Sequence, residues 1–161
     1  MSEKKIIKKV SDSFVHMTEL VLPNHTNQLG NLLGGQLMHW IDICAAISAA
    51  KHSHRVCVTA SVDRIDFLHP IKLGNVVSLM ASVNRAFNTS MEIGVKVFAE
   101  SPQTGKKFHS NTAYLTFVGI DKENKPVKTF EIQPETEDEI RRYEQALERR
   151  QRRLKSRTFS G

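Results

Sequence analysis

One stretch of this 161-residue chain is apolar on nearly every side when it is wound as a helix. It runs over residues 34–52, and its polar exceptions before the last turn are Gln36, His39, Asp42 and Ser48. A helix of this kind is expected to be buried nearly all round, because surface helices keep a polar face toward water. The rest of the chain is therefore expected to wrap around it.

Segments that alternate apolar and polar residues predict the strands that surround this helix. The clearest is 91–100, in which every second residue from Met91 to Ala99 is apolar. Turn-forming residues separate the segments. The predicted strands are 13–22, 56–67, 76–87, 91–100 and 108–119, and a second helix follows Pro134. One long helix against five strands predicts an α+β fold with an antiparallel sheet around a central helix.

The segment 56–67 changes phase along its length. Its apolar residues share one face up to Val62, but those from Ile65 onward fall on the other face. One extra residue near Asp63 or Arg64, as in a β-bulge, brings both groups to the core side. We therefore predict a bulge at this point.

The C-terminal helix has clear end signals. Thr136 and Glu139 have the spacing of a capping box, and basic residues collect near the other end, where they oppose the helix dipole. A narrow apolar stripe predicts that the helix packs on this subunit or on another one. The stripe consists of Ile140, Tyr143, Leu147 and Leu154.

The formal net charge is +6, and Arg149–Arg157 holds six basic residues and no acidic one. Nucleic-acid binding is one interpretation. However, no aromatic residues lie between these charges and no nucleic-acid motif is present, which favours a solvated helix end. We expect no nucleic-acid partner.

Several function classes are disfavoured by what the sequence lacks. No segment reaches the roughly 20 apolar residues of a membrane span, and the charged start does not read as a secretory signal. The histidines and the two cysteines, Cys44 and Cys57, form no metal-ligand pattern. We therefore expect a cytoplasmic protein without a membrane span and without a metal site.

Asp42 interrupts the apolar helix, with the small residues Ala45 and Ala46 three and four positions later. A buried carboxylate is costly unless it is paired or hydrogen-bonded. Two interpretations stay open: a structural aspartate, or a carboxylate kept for acid–base chemistry. Gly34 and Gly35 favour the second, because they leave backbone N–H groups bare at a helix start, where an oxyanion can bind.

Four sequence runs, taken together and in order, indicate a family. They are NHTNQLGNLLGGQLMHWID, TASVDRIDFLHPIKLG, NTSMEI and PETEDE. They resemble the cytosolic acyl-CoA hydrolases of the hot-dog superfamily, which include the bacterial YciA-type enzymes and the brain-type two-domain acyl-CoA thioesterase. The resemblance spans roughly residues 13–150.

This resemblance implies a hot-dog fold: a long central helix wrapped by a curved antiparallel sheet of five or six strands, plus a C-terminal helix. The hot-dog domain is expected over 13–130, between an N-terminal tail, 1–12, and a charged helix and tail, 131–161. The implied reaction is hydrolysis of an acyl-CoA thioester to a free acid and CoA without a metal or organic cofactor. The implied catalytic unit is a homodimer, and three such dimers are expected to form a hexamer.

The resemblance also implies which residues act. Asp42 corresponds to the catalytic aspartate, a general base for water or a nucleophile, and Asn27 to a loop asparagine from the opposite subunit that orients water or substrate. Gly35, with Gly34, would polarise the thioester carbonyl through its N–H. Related proteins often have histidine where this chain has Leu33, so no role for a histidine is expected there.

Further positions are implied for substrate binding. The turn between the predicted strands 76–87 and 91–100 matches a segment near the CoA cleft. A basic residue, Arg64 or Lys96, is expected to meet phosphates, and two hydroxyl residues are expected to line the acyl end. These candidates are Asn88, Thr89, Ser90, Arg64, Thr59 and Ser61.

Two alternatives remain because one fold hosts several functions. A hot-dog dehydratase acting on 3-hydroxyacyl thioesters would need a histidine positioned with the acid. A non-catalytic acyl-CoA-binding module would lack a positioned carboxylate.

Overall fold

The structure, a computed structural model, describes residues 5–159, with side chains up to residue 157. In it a five-stranded antiparallel sheet curls around one long helix. The helices are α1 (Gly34–Ser53) and α2 (Glu137–Phe159). The strands are β1 (Ile7–Lys9), β2 (Val15–Leu20), β3 (Val56–Val62), β4 (Val76–Ala86), β5 (Ser90–Glu100), β6 (Lys107–Ile120) and β7 (Glu131–Gln133).

The large sheet has the strand order β2-β4-β5-β6-β3, and every neighbouring pair in it is antiparallel. Helix α1 packs on one face, where fully buried residues such as Ile41 and Ile93 form the core. The predicted bounds of α1, β4, β5 and β6 agree with the structure to within one residue. The expected α+β hot-dog architecture is confirmed.

The prediction for β3 was wrong in two respects. The strand ends at Val62, and the bulge lies at Ala60 rather than near Asp63 or Arg64. Thr59 and the residue two positions later pair with adjacent residues of β6, which leaves Ala60 as the extra residue. The phase change in the sequence therefore has two causes: the bulge, and the departure of the chain from the sheet after Val62.

Strands β1 and β7 were not predicted, because three residues are too few to show an alternating pattern. They form a separate parallel pair that joins residues 7–9 to residues 131–133. The short 3₁₀ turn after β1 is anchored at Ser13, whose Oγ accepts a hydrogen bond from the N–H of Val83 at 2.9 Å. The hydroxyl of Ser48 donates to the Ser13 carbonyl at 2.7 Å, which ties this segment to α1.

Helix α1 is not buried all round within one chain, contrary to the expectation. Ile43 and Ile47 are 38% and 42% exposed, and His39 lies on the same side, one turn earlier. The sheet covers only the opposite side, which includes Leu37 and Cys44. A single chain thus leaves an apolar strip of α1 uncovered.

Helix α2 begins with the predicted capping box. The N–H of Glu139 donates to Thr136 Oγ1 at 3.1 Å, and the N–H of Thr136 donates to Glu139 Oε2 at 3.2 Å. The helix packs on its own sheet, with Ala146 fully buried. The predicted stripe is only partly the contact face, because Ile140 and Leu154 are 43% and 44% exposed.

A buried ion pair fixes the middle of α2 to the sheet. Glu92 of β5 is 1% exposed and receives two hydrogen bonds from Arg149, at 2.7 and 3.0 Å. Asn84 Nδ2 donates a third at 3.0 Å, and the Arg149 guanidinium lies 3.6 Å from the centre of the Tyr114 ring. Burial acts to lower the pKa of Arg149, but the bonds and charge of Glu92 outweigh it, so the pKa is raised.

We predict that Arg149→Met lowers the free energy of unfolding by about 3–5 kcal/mol, because it leaves the Glu92 carboxylate buried and unpaired. Glu92→Met combined with Arg149→Met should recover much of that loss. The matched control is Arg152→Met, which breaks an exposed pair with Glu148 and should cost no more than about 1 kcal/mol. Urea denaturation measures all three, and equal costs for Arg149→Met and Arg152→Met would contradict the prediction.

Candidate active site

The start of α1 presents backbone donors to open space. The N-cap residue, Leu33, has no side chain that can cap the helix. Among the described residues none accepts a hydrogen bond from the N–H of Gly35, and apart from its chain neighbours and the backbone of α1 no atom would lie within 4 Å of a Cβ at that position. At Gly34 the nearest such atoms belong to the ring of Phe67, at 3.7 Å. This end of the helix can therefore accept a carbonyl oxygen or an oxyanion.

Asp42 lies two turns further along α1 and is half-buried, not fully buried as its apolar surroundings in the sequence suggested. Its Oδ1 accepts a hydrogen bond of 2.8 Å from Thr59 Oγ1. Thr59 belongs to β3, the last strand of the sheet, so the carboxylate is fixed between the helix and an open sheet edge. The bond leaves Oδ2 available to accept a proton.

Thr59 and Ser61 lie on opposite sides of the sheet, which the sequence analysis did not anticipate. Ser61 pairs with Thr116, which pairs with Glu92, and paired residues share a face. Because Glu92 binds α2, Ser61 faces α2, away from Asp42. The bulge causes this, since without an extra residue positions 59 and 61 would face the same side.

Asn27 is held by its own loop. Its Oδ1 accepts hydrogen bonds from the N–H groups of Leu29 and Asn31, at 3.0 and 3.1 Å. These bonds occupy Oδ1, while no described residue accepts a hydrogen bond from the amide nitrogen Nδ2. Asn27 and Gly34 line the same cleft, but Asp42 does not line it, and no contact joins Asn27 to Asp42 within the described chain.

The remaining candidates are not brought to Asp42. Arg64 is exposed and pairs with Asp66 at 3.0 Å. Asn88, Thr89 and Ser90 form the turn between β4 and β5, where the N–H of Phe87 donates to the Ser90 carbonyl at 2.8 Å. Within residues 5–159, none of these positions makes a hydrogen bond with Asp42 or with the start of α1.

Two other kinds of chemistry find little support near α1. Cys44 is fully buried, and burial raises the pKa of its thiol to about 11, so it is a poor nucleophile. Within residues 5–159, no group of three or more His, Cys, Asp or Glu side chains is arranged to hold a metal ion.

No helix over those residues is long and apolar enough to cross a membrane.

Comparison with known proteins gives the family. The model of the family described as "Thioesterase superfamily" matches residues 29–106. The uncharacterized acyl-CoA thioester hydrolase YkhA of Bacillus subtilis is 44% identical over 138 residues, which cover 86% of this chain and 80% of YkhA. The chain belongs to the acyl-CoA thioesterase family. Mouse acyl-coenzyme A thioesterase 11 is 46% identical over 87% of the chain, but the match spans only 23% of that longer protein.

Solved structures of thioesterases agree with this fold. An acyl-CoA hydrolase from Staphylococcus aureus, in complex with butyryl coenzyme A, coenzyme A and coenzyme A disulfide, is 37% identical with a TM-score of 0.90, covering 96% of this chain and 94% of the other. Variants of that enzyme with alanine at an aspartate, an asparagine or a threonine have also been solved. An apo-hexameric acyl-CoA thioesterase is also 37% identical with a TM-score of 0.90, covering 93% and 96%.

Of the features of this candidate site, the Thr59–Asp42 bond was missed by sequence reasoning. Thr59 was identified only as a residue lining the acyl end. The signal that was available is the bulge, because bulges aim side chains near active sites, but the sequence pattern predicted it three or four residues too late.

We predict that Cys44 resists alkylation in the folded protein, because its thiol is buried and its pKa is raised to about 11. Treatment with iodoacetamide near pH 7.5, followed by mass spectrometry, should find Cys44 unmodified until denaturant is added. Rapid labelling without denaturant would show that this part of α1 opens readily.

Proposed function

We propose that this chain hydrolyses acyl-CoA thioesters to a free acid and CoA, using protein groups and water alone, in the cytoplasm. The observation that carries the proposal is the pairing of a positioned carboxylate, Asp42, with a helix start whose N–H groups are bare at Gly35. The names of the family members in B. subtilis, mouse and S. aureus support the substrate class.

We propose that the catalytic unit is a dimer. Seven residues of helix separate Gly35 from Asp42, roughly 10 Å of rise, which is too far for both to act on one thioester within one chain. A two-fold pair of α1 helices brings the start of one beside the middle of the other. Asn27 and Gly35 then belong to one subunit and Asp42 to its partner.

Exposed apolar surface supports this dimer. The uncovered strip of α1 lies near β3, an edge strand whose Val56, Val58 and Val62 are 71%, 45% and 42% exposed. Long apolar edges are normally covered in native proteins, because their free N–H and C=O groups invite pairing. The hexameric family member supports further assembly into a trimer of dimers.

The proposed reaction begins with the thioester carbonyl oxygen on the N–H of Gly35. The partial positive charge of the helix start stabilises the negative charge that develops on this oxygen. Asp42 of the other subunit removes a proton from water through Oδ2, and the water attacks the carbonyl carbon. Collapse of the tetrahedral intermediate breaks the carbon–sulfur bond, and CoA leaves with the proton.

Asn27 and Thr59 have positioning roles in this scheme. The Nδ2 group of Asn27 orients the water, and Thr59 keeps the Asp42 carboxylate in place. In the S. aureus enzyme the replaced aspartate lies 15 positions after the asparagine and 17 before the threonine, the same separations as those among Asn27, Asp42 and Thr59. That agreement supports the assignment.

For the CoA end we propose the turn Asn88–Ser90 and Arg64. The exposed Arg64–Asp66 pair is weak, so exchanging the carboxylate for a phosphate costs little. A dehydratase is less well supported, because the hydrogen-bond partner of Asp42 is a threonine and not a histidine. A non-catalytic binding module does not require a carboxylate fixed beside bare backbone donors.

We predict that the protein releases CoA from acyl-CoAs, measured with a thiol reagent, and that Asp42→Asn lowers kcat by about 10²–10⁴-fold through loss of the base. Lys107→Asn, on an exposed strand end, is the control and should keep full activity. A wild-type protein that releases no CoA from any thioester refutes the function. Full activity in Asp42→Asn refutes the site.

Subunit mixing tests whether the site is shared. Asp42→Ala and Asn27→Ala are each expected to be inactive alone. In an equilibrated equal mixture, half of the dimers contain one chain of each variant. Each of these mixed dimers has one intact site and one site that lacks both residues. We predict recovery of about a quarter of wild-type activity. Asp42→Ala mixed with the doubly substituted chain should recover none, and absence of recovery in the first mixture, despite demonstrated subunit exchange, contradicts a shared site.

A further inference from the structure

A cleft of about 220 Å³ opens beside the two groups assigned to one half of the site, Asn27 and Gly34. Its inner end is closed by two buried side chains, Leu37 and Ile71, which are 2% and 4% exposed. Leu37 lies about one helical turn after Gly34, so the cleft runs inward along the first turn of α1. Leu32, Phe67 and Pro70 add apolar wall.

Three of the polar side chains in the walls already have partners inside the protein. Asn31 Oδ1 accepts a 2.7 Å hydrogen bond from Lys72, the Asn111 amide donates to the Asp66 carbonyl, and the Ser110 hydroxyl donates to Asn111. Asn27 and His69 also line the cleft, but its end at Leu37 and Ile71 offers an occupant no polar side chain. An amide placed at that end would lose its bonds to water without replacement, so that end suits an apolar chain.

We infer that this cleft is the acyl chamber, that it takes short chains, and that Leu37 sets the length limit. The inference rests on the proposed function. An engineered protein cavity of about 150 Å³ binds benzene, so 220 Å³ accommodates a chain on the order of six to eight carbon atoms. With the carbonyl on the Gly35 N–H, the tail enters beside Gly34 and ends against Leu37.

The test compares kcat/KM for acetyl-, butyryl-, hexanoyl-, decanoyl- and palmitoyl-CoA. In wild type the value should be highest at hexanoyl-CoA. Leu37→Ala should raise the decanoyl-to-butyryl ratio at least tenfold, since a misfit of one methylene already changes discrimination by about 10-fold or more. Leu32→Phe narrows the wall and should lower that ratio.

Leu79→Ala is the matched control, because Leu79 is fully buried in the core of β4 but does not line the cleft. It should leave the ratio unchanged even if it lowers total activity. The decanoyl-to-butyryl ratio does not depend on the fraction of folded enzyme. If Leu37→Ala fails to fold, Leu32→Phe still tests the inference, because it is expected to lower this ratio.

Three results would overturn the inference while leaving hydrolysis intact. They are a wild-type optimum at palmitoyl-CoA, an unchanged ratio in the folded cleft variants, and an equal rise in KM for every thioester together with weaker inhibition by CoA. The last result would assign the cleft to the CoA arm. Failure of wild type to release CoA from any thioester would instead remove the proposed function, and the chamber with it.

Discussion

Helix α1 carries almost no charge over its first four turns, so burial is favourable for nearly every side of it. One curled sheet can cover only one side of such a cylinder. The strands β4, β5 and β6 supply that cover with a continuous core, while Ile43 and Ile47 remain at the surface. The sheet of a single chain therefore cannot bury all of the apolar surface of α1, and a second copy of the chain is the simplest way to cover the rest.

The same constraint gives Asp42 its setting. The carboxylate lies at the border between the covered and uncovered sides of α1, so it is half-buried. Thr59 reaches it from the open edge of the sheet. The uncovered side of α1 therefore adjoins the carboxylate, while the bare donors at Gly35 lie two turns earlier, at the start of the same helix.

Much of the fold was predictable because long periodic segments carry strong local signals. The bounds of α1 and the three long strands follow from hydrophobic patterning, and the capping box at Thr136 follows from two residue types at one spacing. The parallel pair of β1 and β7 depends on residues more than 120 positions apart, for which no local pattern exists.

The site was predictable in residue type and less so in geometry. Resemblance and apolar context identified Asp42, Asn27 and Gly35, but the direction in which a side chain points depends on register. A single extra residue, Ala60, separates the face of Thr59 from that of Ser61, and composition cannot show which residue of a strand is the extra one. The contact face of α2 was only partly predicted for a related reason, because an arginine, Arg149, makes its central contact with the sheet.

The ion pair between Arg149 and Glu92 affects how the stability of the protein changes with temperature. The cost of removing charged groups from water falls as temperature rises, whereas stabilisation from apolar burial levels off. The stabilisation that this ion pair gives α2 therefore weakens less on warming than that of the apolar contacts around it. The ion pairs beside β1 and β7, Lys5–Glu131 and Lys9–Glu135, are exposed and contribute little. Heating should therefore loosen the chain first where residues 7–9 meet residues 131–133, with α2 still packed on the sheet.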